Sequence, residues 1–527
     1  MNKRPVIIIF LFLAAFTMLN AQASDGPSAG TGNAAPAASE RQPGDLSPLD
    51  EQRLQIIRFG TDTEIANLIK LLRNEQPSAP AASTVSESRL ERELLDVAKK
   101  TKNRAILTGV FGYFGDREIS GLEERARTAI EDRDYEAGET VNAALQYLGN
   151  IKASGVRGIL KDILNGEESR FLYNAIRALG LTAEKDGPAE TAEYLIEYYT
   201  ERDPGDENRR LIVVALGDIK AAEGTGFLVD IAGNEDEKTP MRMAALESLA
   251  KIGDPGGLDA IIEAVNTKDP NVRAAAVAAL GPFTGSDADA AIIDAFRDSY
   301  YRTRIAAAKA AGERKLSDAV PYLRFRAEND EVANVRTEAI RALGLIGGND
   351  SETILEEILK ERKNSDSIRI NAGEMLLVNG EKDYITIVIT EMEEAKSKNQ
   401  TPLYNGFLRI LGAAKSPKLE DFAKRLFASG GVVEKSYALD ICLNNNFRGL
   451  VTEIRSLTDP KNGSLSVKSR SLLERWGLPL TAPESPAETS GTAQETAVQE
   501  TAPPSAGAPP AEALPVGAAP AGAPSGE

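Results

Sequence analysis

Apolar residues recur at helical spacing in segment after segment of this chain. Val272, Ala275, Ala276, Ala279 and Leu280 fall at i, i+3, i+4, i+7 and i+8, which places them on one face of a helix. That stripe is mostly alanine, so a second helix can approach it closely. Other segments carry broader, bulkier stripes at the same period, such as Leu258, Ile261, Ile262 and Val265, or Ile354, Leu355, Ile358 and Leu359. Polar turns separate the two kinds. Asp269-Pro270 is one, an N-cap residue followed by a proline preorganised for the first helical position. The pattern predicts helices in pairs and no strands.

The narrow stripe belongs to a repeated block. Asn271-Val-Arg-Ala-Ala-Ala-Val-Ala-Ala-Leu-Gly281 returns as Asn334-Val-Arg-Thr-Glu-Ala-Ile-Arg-Ala-Leu-Gly344. Its closing Leu-Gly step recurs at Gly149, Gly180, Gly217 and Gly412, with degenerate forms at Phe111-Gly112, Leu249-Ala250, Ala311-Gly312 and Leu376-Leu377. Weaker closures stand at Phe59-Gly60, Ile441-Cys442 and Trp476-Gly477. That makes about a dozen units, well above the roughly three a stable array needs. Each unit cannot bury its apolar face alone, so the units must stack. The glycine of the step is expected to be the left-handed residue that ends its helix.

An arginine stands eight residues before most of these steps: Arg104, Arg209, Arg242, Arg273, Arg304, Arg336 and Arg369. Such a series either binds an anionic partner or pairs with loop carboxylates of its own or the adjacent unit. The chain carries a net charge of −18, which makes it a poor anion trap and favours the second reading.

The pattern Val-Arg-x-x-Ala-x-x-Ala-Leu-Gly resembles HEAT repeats, in the short bacterial form also found in bilin-lyase-like proteins, over roughly residues 47 to 480. The resemblance implies an all-α solenoid, a superhelix of about a dozen HEAT-like helix pairs, with the arginine-bearing second helix of each pair on the concave face. It also implies a ladder between that arginine and a loop aspartate, positions that Arg273 and Asp269 match, while Arg242, Arg304, Arg336 and Arg369 match the arginine alone. Val141, Leu172 and Tyr404 stand where the arginine would be, so the ladder is expected to break in those units.

If second helices line the concave face, their outward positions fall three and seven residues before each step. The first series begins Gly109 and Gln146, and the second Ala105 and Asn142. From the two series the candidate partner-binding residues are Tyr173, Arg177, Arg210, Met243, Glu247, Lys309, Arg341, Glu374 and Arg409. Their mixture of charge, Tyr and Met suits a polypeptide partner better than a polyanion.

The ends have a different character. Met1 to Ala23 has a charged start, an apolar run from Val6 to Leu19 and an Ala-Gln-Ala site, as a secretory signal peptide does, with cleavage expected after Ala23. The apolar run is shorter than the roughly 20 residues a spanning helix needs. Residues 24–46 read as a disordered linker and 47–481 as the solenoid. Residues 482–527, rich in Pro, Ala and Glu, read as a disordered tail. Gln76 to Ser83 reads as a surface insertion. A periplasmic or secreted monomer is expected, with no integral membrane segment.

Residue types narrow the chemistry. The chain has no histidine and one cysteine. Ser-His-Asp and Cys-His catalysis, His-ligated metals, thiolate zinc and iron–sulfur centres are therefore excluded. Walker and dinucleotide glycine motifs are absent as well, so no cofactor is expected. The acidic balance argues against nucleic acid. Two acidic loops, Asp203–Glu207 and Glu235–Glu237, lack EF-hand spacing and read as solvated. Tyr194, Tyr198 and Tyr199, with Phe171 and Tyr173, form either an aromatic platform or ordinary packing, and packing is the favoured reading. Cys442, between Ile441 and Leu443, reads as a buried inert thiol. These readings converge on a non-catalytic exported scaffold that binds protein on its concave face. The alternatives are a bilin-lyase-like enzyme or ligand carrier, and an elongated structural spacer of the cell envelope.

Overall fold

The computed structural model describes residues 47–75, 85–166, 168–202, 204–380 and 382–480. The expected leader, the linker 24–46, the insertion Gln76–Ser83, Asp203 and the tail 482–527 lie outside the described residues. Among the described residues every regular element is helical: 26 α-helices and five short 3-10 turns. No helix among them is long and apolar enough to cross a membrane.

These residues divide into two compact units, the first ending at Lys382 and the second beginning at Asp383. Twenty helices between Pro48 and Asn379 form ten pairs in the first, and six between Ile385 and Arg475 form three pairs in the second. The expected caps hold. Asp269 accepts a hydrogen bond from the Asn271 amide at 2.8 Å with Pro270 at the first helical position. Thr61 and Glu64 close a capping box on helix Asp62–Asn74.

Within the first unit each second helix packs on the second helices before and after it. The alanine-rich stripe makes this possible: Val272, Ala276, Ala279 and Leu280 are fully buried. Helix Asp62–Asn74 joins this row and Pro48–Phe59 packs on Val85–Lys100. The early Phe59-Gly60 step thus ends a first helix rather than a second one.

The glycine of the step does something other than end the helix. Gly149, Gly180, Gly217, Gly312 and Gly344 all lie inside their helices, against the backbone or Cβ of the next second helix. A Cβ added at Gly217 would lie 2.7 Å from Ser248 Cα, and one at Gly312 would lie 2.9 Å from Ala342 Cα. At Gly180 it would meet Ala215 Cβ at 3.0 Å. The step is a close-approach site between pairs. Gly281 is the exception, since a Cβ there meets only Ala278 O of its own helix, and its φ is not positive.

The left-handed residue comes three positions after the step: Lys152, Lys220, Gly253, Lys315 and Gly347, with φ between 50° and 70°. Glu118, at φ 55°, fits the same rule only if the step in helix Arg104–Asp116 is Phe114-Gly115. A Cβ at Gly115 meets Tyr147 Cα at 3.3 Å, the same contact that Gly149 makes with Ala178. The register expected from Phe111-Gly112 is therefore three residues early. Glycines at 109, 112 and 115 made the choice ambiguous. The outward positions there become Thr108 and Gly112, not Ala105 and Gly109. Left-handed lysine costs roughly 1 kcal/mol, so Lys220→Gly and Lys315→Gly should each stabilise the first unit by about that much. Thermal unfolding would read the gain, and the corresponding alanine variants should show none.

Candidate functional site

Two rungs of the arginine ladder are complete ion pairs. Arg273 binds Asp298 of the next pair through Nε at 2.8 Å and Nη2 at 3.0 Å. Arg304 binds Asp330 in the same way, at 2.8 and 2.9 Å. The remaining guanidinium nitrogen donates to loop carbonyls before its own helix, Thr267 and Lys268 for Arg273, Asp298 and Ser299 for Arg304. Each aspartate also accepts from the amide of the residue just before the next helix, Tyr300 at 2.7 Å or Val332 at 2.9 Å. Burial pushes both carboxyls up, but the arginine and amide hydrogen bonds outweigh it and hold them below the usual carboxylate range. These arginines are spoken for, as the structural reading of the series expected.

The other positions vary the theme. Arg242 and Arg369 donate back to their own first helices, at Ala232 O and Leu359 O, and Arg209 lies over the Tyr199 ring. Arg104 is off register yet binds Glu136 at 2.7 Å. Asp269 takes the Thr239 hydroxyl instead of an arginine. Val141 is simply buried, so its rung is missing. Tyr404 contradicts the expected break. In the second unit its hydroxyl bonds Glu434 Oε1 at 3.1 Å, and Glu434 caps helix Val432–Asn445 through the Gly431 amide. A neutral phenol thus completes that rung.

Second helices of the first unit pack on one another more extensively than first helices do. In a curved stack the closer row is the inner one. On this row Tyr173, Arg210, Met243, Glu247, Lys309 and Arg341 are exposed, and Arg177 and Glu374 half-buried. Arg409 is exposed too, but on helix Thr401–Ala413 of the second unit. Several charges are neutralised locally: Lys309 by Glu313, Arg341 by Glu338, and Glu247 by Lys251, which also holds Asp218. Arg177 and Arg210 have no ion-pair or hydrogen-bond partner among the described residues. Beside them Asn174 links Asn142, at 2.7 Å, to Gln146, at 3.2 Å. Asn174 lies outside both outward series, and its link was not legible from spacing alone.

The tyrosine cluster is packing. Phe171, Tyr198 and Tyr199 are buried, Tyr199 meets Phe227 edge-on at 4.9 Å, and Tyr194 bonds Asn165 at 3.0 Å. Tyr173 stands apart from them on a second helix. A different aromatic group went unnoticed in the sequence: Phe325, 56% exposed, beside the stacked Phe296 and Tyr322 on the first-helix side. Cys442 is fully buried, which pushes its thiol up to about 12. It should resist maleimide in the native protein and react at once in denaturant; rapid native labelling would contradict this placement.

No curated protein sequence matches the chain. Among similar solved structures is Kap121p bound to Pho4p, 13% identical over 81% of this chain and 53% of that one, TM-score 0.41. Importin beta is 12% identical over 81% and 76%, TM-score 0.34. An engineered protein is 16% identical over 75% and 98%, TM-score 0.30. The chain spans about half the length of the Kap121p structures it matches. The family model for the spirochaete HEAT repeat protein matches residues 57–472, nearly all of the paired helices, and the chain belongs to that family.

Proposed function

We propose that this chain is a non-catalytic scaffold that binds a polypeptide on the inner face of its first unit. The observation that carries the reading is the division of labour along each second helix. Step glycines, alanines and ladder arginines are consumed by packing between pairs. Tyr173, Met243, Glu247, Lys309 and Arg341 are left exposed and chemically varied on one continuous row. Such a surface is broad, mixed in polarity and suited to another protein. The leader-like Met1–Ala23 supports work outside the cytoplasm, and the mature chain is then expected to begin at Ser24.

Paired charge reversals test this. Glu247→Lys with Arg341→Glu should abolish co-isolation of the physiological partner while leaving the melting temperature unchanged. The equivalent reversal on the outer side, Arg324→Glu with Glu357→Lys, should leave co-isolation intact. Equal loss from both pairs would overturn the assignment of the face.

A further inference from the structure

We propose that the inner face across helices Gly138–Asn150, Ser169–Asp186 and Asp206–Ile219 is a site for an extended peptide segment that carries two carboxylates. The proposal rests on the polypeptide-binding reading above and names the chemistry of the segment held at this part of the face. The three helices pack side by side in the first unit. Their outward positions are Asn142, Gln146, Tyr173, Arg177, Arg210 and Val214. No carboxylate stands among them, so this stretch of the row is basic in a chain of net −18. Farther along the row, Lys309 and Arg341 are matched by Glu313 and Glu338 of their own helices. Arg177 and Arg210 have no such match among the described residues. Glu207, three residues before Arg210, makes no ion pair with it, and Asp206 is taken by Lys238. Two open guanidinium forks on adjacent helices suit two carboxylates.

The amides beside the arginines are set to hold a backbone. Asn174 donates to Asn142 Oδ1 at 2.7 Å and accepts from Gln146 Nε2 at 3.2 Å. These bonds orient all three side chains. They leave Asn142 Nδ2 and Gln146 Oε1 without a partner among the described residues. One open donor and one open acceptor match the C=O and N–H of an extended peptide. Spacing sets the position of the two acids. Packed helices lie about 10 Å apart. In an extended chain, side chains two residues apart share a face at about 7 Å. The long glutamate and arginine stems close the remaining few ångströms. Tyr173, 48% exposed and between Asn142 and Arg210 in the row, offers its ring to those stems. The segment thus carries its acids two residues apart over Arg177 and Arg210, with its adjoining backbone over Asn142 and Gln146.

The test selects binders to the purified full chain from a random decapeptide library displayed on phage. Sequences with two acidic residues two positions apart are expected to be enriched, against the repulsion of the chain's own net charge. Arg177→Glu/Arg210→Glu should instead enrich lysine or arginine at that spacing, with the melting temperature unchanged. A merely structural role for the two arginines would not invert the selection. For one enriched peptide, fluorescence anisotropy should show binding weakened about tenfold or more in Arg177→Gln, the loss of a hydrogen bond to a charged group. Asn142→Ala/Gln146→Ala should weaken it several-fold and keep its salt dependence. Four results would each overturn the proposal: enrichment without charge preference, the same acidic pairs from the double reversal, equal competition by an oligothymidylate of matched charge, or a dimer of the chain that the double reversal dissolves. The selection contains no physiological partner and leaves Glu247 and Arg341 untouched, so its failure is separable from failure of the reversals described above.

Discussion

Asp330→Ala is expected to destabilise the first unit by about 3–5 kcal/mol, the cost of stranding one member of a buried ion pair. The side chain of Asp330 is fully buried and that of Arg304 is 5% exposed. Asp330 accepts both nitrogens of the Arg304 fork, the Val332 amide, and Arg326 at 3.3 Å. Its removal leaves a buried guanidinium and an unpaired Val332 amide together. Arg304→Met in the same background should recover much of the loss, because an apolar pair needs no compensation. Denaturant unfolding of the four members of this cycle measures the coupling. The pH dependence follows from the sign of the shift. Asp298 and Asp330 are held below the usual carboxylate range when folded. Their contribution is therefore complete above about pH 4, the unfolded value, and is lost as pH falls through the folded value. Asp330→Asn should flatten that acid limb.

Gly217→Val is expected to cost about 3 kcal/mol or more, at the upper end of overpacking effects. The atoms in the way are Ser248 Cα and Cβ, both 2.7 Å from an added Cβ. Ser248 is itself fixed by a 2.8 Å bond from its hydroxyl to Val213 O. Neither side can yield without parting the two helices. Stability in a stacked array is a sum of units and their interfaces. The damage should therefore appear as lost amide protection in Asp206–Ile219 and Thr239–Ile252 together, with distant pairs spared. Gly281→Ala supplies the contrast. No neighbouring helix lies within reach there, and the change should fall within about 0.5 kcal/mol. Equal effects at the two positions would show that the Leu-Gly step is not a packing device.

The helix pairs were legible because apolar spacing and cap residues are local. Asp269-Pro270 caps its helix as its chemistry predicts. The role of the step glycine was not legible. A sequence shows that a Cβ is absent, but only the neighbouring helix shows why. The same limit explains the early register at Phe111-Gly112, where three equally spaced glycines compete, and only Gly115 meets Tyr147. The ladder was half legible. Arg304 and Arg273 needed a carboxylate about 25 residues on, which spacing permits but does not choose. Tyr404 showed that a phenol can serve the same acceptor. On the inner face the exposed positions followed from the repeat period, and Glu313 and Glu338 neutralise Lys309 and Arg341 from four and three residues away on the same helix, whereas the contact of Lys251 with Asp218 needed the neighbouring helix.

The central claim is that the row of second helices in the first unit is the side that meets another polypeptide. Photo-cross-linking in intact cells tests it most directly, with one reactive residue at a time in place of Met243, Glu247 or Arg341, and of Arg324, Glu357 or Lys360 on the first helices. The account predicts a discrete adduct of the same added mass from the three inner positions and none from the outer three. Adducts from the outer positions, with the inner three silent, would contradict it.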